Sequence, residues 1–299
     1  LETTTVWNNN EEIYDLDVVL FRGCFAAEKK IYYAELPDKG VIQFSSKKEY
    51  NEWLKTDPGT SEFWVEHVVE PVENAIQNCK TIIEGCHNAL GGLSQRFFLS
   101  GPNNFRYGIA TVKPYKGNRD PKHRPVWLQE ARDWAVKHLF ADIADGCEAD
   151  DLVGIASVRN PQSVIISNDK DLGQLVGWHY NFVTKEGPYY VSPKDAKLFF
   201  YEQVIAGDST DNIPGLEGVG PAGARRLLEG VSSPSEAENR ALAAYREKYG
   251  KGEGDRRFLE TGRLVKIRTS VEETLWEPKW VKLEIPHETN TDNPVDFPK

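Results

Sequence analysis

Methionine does not occur anywhere in the chain, so spacings inside tight motifs carry more weight here than long-range counts. No run of about 18 apolar residues is present, which excludes a membrane-spanning helix on sequence grounds. The opening "LETTTVWNNNEE" has neither the basic start nor the apolar centre of a secretory signal. Cys24, Cys79, Cys86 and Cys147 are scattered, with no C-x-x-C spacing, and no His/Cys set has the spacing of a zinc site. Reduced thiols and a cytoplasmic location are the expectation. No internal repeat and no long low-complexity tract is found. A surplus of basic charge is also missing, since the formal net charge is −10. That balance argues superficially against a nucleic-acid partner, but binding depends on where charges sit as well as on their sum.

Against that acidic background, the segment from Arg106 to Arg124 is basic. It holds Arg106, Lys113, Lys116, Arg119, Lys122 and Arg124, with Asp120 as its single anion. The chain of 299 residues has room for one large domain or two small ones. Its first two thirds alternate apolar runs with amphipathic ones. "EIYDLD", "RFFLSG", "SVIIS", "YNFVT" and "YYVS" read as strands. "VVLFRGCFAAEKK", "EYNEWLK", "EPVENAIQNCKTIIEGC", "PVWLQEARDWAVKHLF" and "EADDLVGIASV" read as helices. The alternation predicts an α/β fold with a mostly parallel sheet flanked by helices. Ligands in such folds sit beyond the C-terminal strand ends, where Asp15, Ser100 and Asp169 fall. After about residue 200 short helices and Gly-rich turns take over, so the expected division is a core over 1–200 and a helical region over 201–299.

Carboxylates cluster in four segments: Asp15 and Asp17; Glu148, Asp150 and Asp151; Asp169 and Asp171; Asp208 and Asp211. Bringing like charges together is unfavourable unless something offsets the repulsion. Each pair alone fits a helix cap or a solvated turn. Together, at strand ends, they indicate an all-oxygen site for a hard cation such as Mg²⁺ or Mn²⁺. "GLEGVGPAGARRLLEG" (215–230) reads as a Gly-rich hairpin leading into a helix. The backbone of Gly215, Gly218, Gly220 and Gly223, with Arg225 and Arg226, could cradle phosphate, or the stretch could simply connect two helices. In "KPYKGNRDPKHR" the cations flank Tyr115, a candidate for stacking on a base; the bland alternative is a solvated basic loop.

Four motifs in this order, "PYKGNRD", "GCEADD", "ISNDKDL" and "GDSTDNIPGLEGVGPAGA", resemble the flap endonuclease and 5′→3′ exonuclease family, with the nearest likeness to bacteriophage 5′-nucleases. The resemblance covers about residues 13–230. It implies a PIN-like nuclease core, a helical arch over about 106–135 and a helix–three-turn–helix DNA-binding module. It implies cleavage of DNA at 5′ flaps, junctions and 5′ ends with two divalent ions, about 4 Å apart in such sites. Asp15, Glu148, Asp150, Asp151, Asp169, Asp171, Asp208 and Asp211 would serve the metals. Lys116, Arg119 and Arg22 would act on the scissile phosphate. Arg106, Lys113, Tyr115, Lys122, Arg124, Gly215, Gly218, Gly220, Gly223, Arg225 and Arg226 would contact DNA, with K⁺ at the 215–223 hairpin. The expected protein is a monomer, without a membrane partner, working in the cytoplasm (the host's, if phage-encoded). A PIN-type ribonuclease and a non-catalytic structure-specific DNA-binding protein are the rival readings. One departure stands out: relatives carry an acid at the strand end before the arch, and here that place holds Ser100. Asp17, where many relatives have no acid, either compensates as a metal ligand, directly or through a water, or caps the following helix.

Overall fold

The computed structural model describes residues 10–278, apart from 37–39, 57–58, 60–61, 121–122, 186 and 274. In chain order the elements are β1 (Glu11–Asp15), α1 (Leu16–Phe25), β2 (Glu28–Leu36), β3 (Gly40–Phe44), α2 (Lys47–Leu54), β4 (Glu62–Val69), α3 (Val72–Leu90), β5 (Ser94–Leu99), α4 (Arg106–Ile109), α5 (Leu128–Leu139), β6 (Asp142–Ile143), α6 (Ala149–Arg159), β7 (Ser163–Ile166), β8 (Gly177–Tyr180), β9 (Tyr189–Val191), α7 (Pro193–Ala206), β10 (Gly207–Asp208), β11 (Ile213–Pro214), α8 (Pro221–Leu227), α9 (Pro234–Tyr249) and α10 (Lys251–Val265). A 3₁₀ turn spans Lys170–Gln174.

The main sheet has the order β6-β5-β1-β7-β8-β9. All its pairings are parallel except β8–β9. β1 and β7 lie at its centre. Every residue of β7, "SVII", is buried, because helices cover both faces and the strand therefore needs no polar alternation. On one face Tyr14, Val164 and Ile166 pack with α1, α3 and α5. On the other Ile13, Phe98 and Ile165 pack under α6. Local signals fix the helix ends. Ser46, Ser192 and Ser233 cap α2, α7 and α9 through their side chains, with Pro at the start of α7 and α9. Gly91, at φ +89°, ends α3.

The helices after β9 build a second apolar cluster from Phe200, Val204, Ala224, Tyr245 and Phe258. A boundary at residue 200 would cut α7, whose C-terminal half belongs to that cluster; the helical region begins with α7. Two other expectations differ. Residues 181–184 of "YNFVT" form a turn, because the strand ends at Tyr180 once its pairing with β7 runs out. The sequence reading also missed a separate antiparallel sheet, β3-β2-β4, carrying α2. The β-branched and aromatic residues of "IYYAEL" and "FWVEHVV" were its signal.

Candidate active site

β1, β5 and β7 run parallel and end at the same edge, so Asp15, Ser100 and the Ser167–Asp169 segment meet there. α6 opens onto that edge with Glu148 and Asp150. Asp15 is 2% exposed and accepts from Ser167 Oγ at 3.0 Å. Ser167 Oγ in turn accepts from the Asp169 N–H at 2.9 Å. Asp169 accepts from the Asp171 N–H at 2.9 Å, which fixes the turn that presents both acids.

These carboxylates lie close enough to alter one another. Burial pushes Asp15 well above the usual carboxylate range, with Asp17 and Asp169 adding repulsion. Burial does the same to Asp150, reinforced by Asp15 and Asp169. Burial also raises Asp169, partly opposed by the Asp171 N–H. Asp171 is pushed up to about 7 by burial and then by Asp169 and Asp208.

Beside them, the turn between β10 and β11 adds Asp208 and Asp211. The loop after α4 lies against this turn: Lys116 N–H donates to Asp211 O at 2.8 Å, Asn118 Nδ2 to Ser209 O at 2.7 Å, and Asn212 Nδ2 to Pro114 O at 2.8 Å. Lys116 and Asn212 both sit in left-handed backbone, at φ +54° and +58°, a conformation uncommon for side-chain-bearing residues. Lys116 pairs with Glu148 and, at 3.6 Å, with Asp211. Arg119 pairs with Asp211. Lys170 reaches Asp208 at 3.3 Å and Asp171 at 3.7 Å. Although burial opposes it, Asp208 is held below its usual range by Lys170 and the N–H groups of Asp211 and Thr210. Tyr115, Glu148, Asp150, Asp171, Asp208 and Asp211 share the wall of one small cavity.

The donor set is all oxygen and crowded with negative charge, which suits a hard divalent cation. Among the described residues, no three His, Cys, Asp or Glu side chains stand ready to grip an ion, and Lys116, Arg119 and Lys170 engage several of these carboxylates.

Other expected site residues lie elsewhere. Asp151 is fully buried and paired with Arg106, at 2.7 and 3.0 Å. It also accepts from the N–H groups of Glu148 (3.0 Å) and Arg268 (2.9 Å), so it ties the start of α6 to the segment after α10 and has no oxygen free for a metal. Arg106, expected on DNA, is 3% exposed, and its remaining donors go to Leu264 O and Lys266 O, both at 2.8 Å. Asp17 does not cap α1: it lies near enough to repel Asp15, while its own carboxylate accepts from Ser100 N–H at 2.8 Å and pairs with Arg132. The Ser100 hydroxyl accepts from Ala149 N–H at 3.0 Å and so serves α6.

Tyr115 was read as a stacking platform. It is instead 4% exposed, and its hydroxyl lies between Glu148 and Asp211. Gly215 is a packing glycine: a Cβ there would come within 2.3 Å of the Ala206–Gly207 backbone. Gly223 lies inside α8, where a Cβ would press on Val219 at 2.9 Å. Gly218, at φ +83°, and Gly220 face open space. Arg22, Lys113, Arg119, Arg124, Arg225 and Arg226 are exposed, and Arg225 pairs with Glu202 at 2.9 Å. Lys122 lies outside the described residues.

No family model matches the chain. It is 28% identical over 218 residues to flap endonuclease Xni of Pseudoalteromonas translucida, a match covering 65% of this chain and 82% of that protein. To flap endonuclease Xni of Shewanella piezotolerans it is 26% identical over 180 residues, 54% of this chain and 71% of that one. By these matches the chain is similar to flap endonucleases and 5′→3′ exonucleases. Among solved structures the fold is matched by the T5 D15 protein co-crystallised with metal ions, at TM-score 0.53 and 15% identity, over 85% of this chain and 89% of that one. These curated relatives are bacterial and the structural neighbour carries a phage name, so the family likeness does not single out a phage source. Of the residues at this acidic edge, the sequence reading missed Ser167, Lys170, Arg132 and the contact of Tyr115 with Glu148 and Asp211. Ser167 and Lys170 stood inside the motif "ISNDKDL" and Tyr115 inside "PYKGNRD", whereas Arg132 lay in none of the four motifs.

Proposed function

We propose that the chain is a divalent-metal-dependent nuclease that hydrolyses DNA phosphodiesters at 5′ flaps, junctions and 5′ ends, as a monomer. The observation that carries this reading is the meeting of Asp15, Asp150, Asp169 and Asp171 at one sheet edge, Asp15 buried, the others half-buried, and all mutually repelling, with Lys116 and Arg119 beside them. Carboxylates that raise each other's affinity for protons are also primed to accept a cation. In this reading Asp15, Asp150, Asp169 and Asp171 hold Mg²⁺ or Mn²⁺, and Glu148, Asp208 and Asp211 join them as their lysine and arginine partners turn away. The chemistry supplied by a bound ion pair is charge, which acidifies an attacking water and neutralises a leaving oxygen.

The chain's own groups do the rest. Lys116 and Arg119, once free of Glu148 and Asp211, orient the phosphate and offset its developing charge. Arg22, on the exposed side of α1, and Lys113 and Arg124, in the arch region, guide the single-stranded 5′ end. Exposed backbone at Gly218 and Gly220, with Arg225 and Arg226, grips duplex phosphates, and K⁺ on carbonyls of the 215–223 turn completes that grip. The test is a nicking assay on flap, nicked-duplex and single-stranded RNA substrates with and without Mg²⁺. Metal-dependent cutting near the flap junction is expected. Preference for RNA, or DNA binding with no cutting in any divalent metal, overturns the reading.

A further inference from the structure

We propose that Tyr115 is a positioning residue: it fixes the approach of Glu148 to Asp211 and thereby sets how tightly the acidic site takes up divalent cations. The inference rests on the metal-dependent reading above. The Tyr115 hydroxyl lies 2.7 Å from Glu148 Oε2 and 2.8 Å from Asp211 Oδ2. Glu148 stands at the start of α6, under the main sheet, whereas Asp211 stands on the β10–β11 turn at the edge of the helical region. Two carboxylates from separate parts of the fold would drift apart under their own repulsion. A phenol carries one proton, so from one fixed point the Tyr115 hydroxyl donates to either carboxylate oxygen or shares its proton between the two.

Lys116, the next residue, spans the same two carboxylates, but the two neighbours are anchored differently. The lysine head is 17% exposed on a flexible stem. The Tyr115 ring is 4% exposed, embedded in the helical cluster and packed edge-on against Tyr107 at 5.5 Å. Arg106 holds Glu148 from a further direction at 3.6 Å. An arriving cation can therefore displace Lys116 while Tyr115 keeps Glu148 and Asp211 facing each other. Groups that orient metal-binding side chains in this way change metal affinity by about 10–100-fold when removed.

Tyr115→Phe keeps the ring and its packing and deletes only the hydroxyl. Calorimetric titration of the DNA-free protein with Mn²⁺ or Mg²⁺ reads the effect directly. Affinity is expected to fall about tenfold, while the melting temperature in chelator changes little. The Mg²⁺ needed for half-maximal cleavage should rise by the same factor, with the rate largely recovered at saturating Mg²⁺; a merely structural lesion does not recover in that way. Tyr107→Phe, which touches neither carboxylate, should leave metal affinity unchanged. In a Glu148→Gln background, Tyr115→Phe should weaken binding little further, because its partner is already altered. Unchanged metal affinity in Tyr115→Phe, or full additivity with Glu148→Gln, overturns the positioning role alone. Absence of divalent-ion binding in the wild-type protein overturns it together with the metal-dependent reading.

Discussion

The acidic groups at the sheet edge and those on the β10–β11 turn line one site but are held in opposite ways. Asp15 is buried and Asp150 half-buried, neither has an ion-pair partner among the described residues, and desolvation plus neighbouring acids makes their ionised forms unfavourable. Asp208 and Asp211 have cations against them, Lys170 on one and Lys116 with Arg119 on the other. The sheet edge therefore stores repulsion, while the turn is neutralised by groups carried on a loop and a 3₁₀ turn. Fixed backbone holds the charges that have nowhere to go, and movable side chains hold those that can be exchanged.

Opposite signs of effect in the two regions would sharpen this contrast. Asp150→Asn removes one of the crowded charges. Cleavage should fall by several orders of magnitude, yet the metal-free protein should melt at a higher temperature, as single-turnover assays and melts in chelator can show. A lower melting temperature would break the contrast. Lys116→Ala acts on the other side. It should slow cleavage by about 10²–10³-fold and leave DNA affinity in Ca²⁺ within a few-fold. It should lower metal-free stability, because Glu148 and Asp211 lose their counter-charge.

The pH dependence is a smaller effect. Asp171 in the folded chain binds its proton up to about pH 7, against an ordinary value near 3.8. The folded state thus holds more protons than the unfolded one in that window. Its favourable contribution is complete below about pH 4 and lost as pH rises through about 7. Asp208, depressed by Lys170, contributes with the opposite sign and loses its share only in acid. Melting temperature in chelator should fall between pH 5 and 8, and Asp171→Asn should flatten that fall; an unchanged slope would contradict the assignment. The smallest effect concerns the exposed helical region. Arg226→Ala should reduce the salt dependence of duplex binding by about one unit of slope. Arg225→Ala should do less, since Glu202 already engages its guanidinium.

Much of this was legible in the residues. Apolar runs ending in Asp or Ser gave the central strands, and carboxylates after them gave the site, because both depend on local pattern. What the sequence hid depends on partners far along the chain. Arg106 belongs to a basic run by composition, but its guanidinium is buried against Asp151 and the carbonyls of Leu264 and Lys266. Tyr115 sits amid the same cations, yet its ring joins the helical core. Asp151 is next to Asp150 but projects to the far side of α6, toward Arg106. Ser100 in place of an acid raised the idea that Asp17 compensates; the Asp17–Arg132 pair and the Ser100–Ala149 bond show both residues bracing the strand end.

The Arg106–Asp151 pair has a consequence during synthesis. Its bonds to Leu264 O, Lys266 O and Arg268 N–H come from residues made after every carboxylate of the site. Domains form on the ribosome in order of emergence, so the α6 start that carries Glu148 and Asp150 would gain its last braces only when that late segment docks. A nascent chain that already contains all the acidic residues would still lack a rigid site. The nuclease would come under arms only when its helical region is in place, which keeps an unfinished polypeptide from cutting nucleic acid beside it.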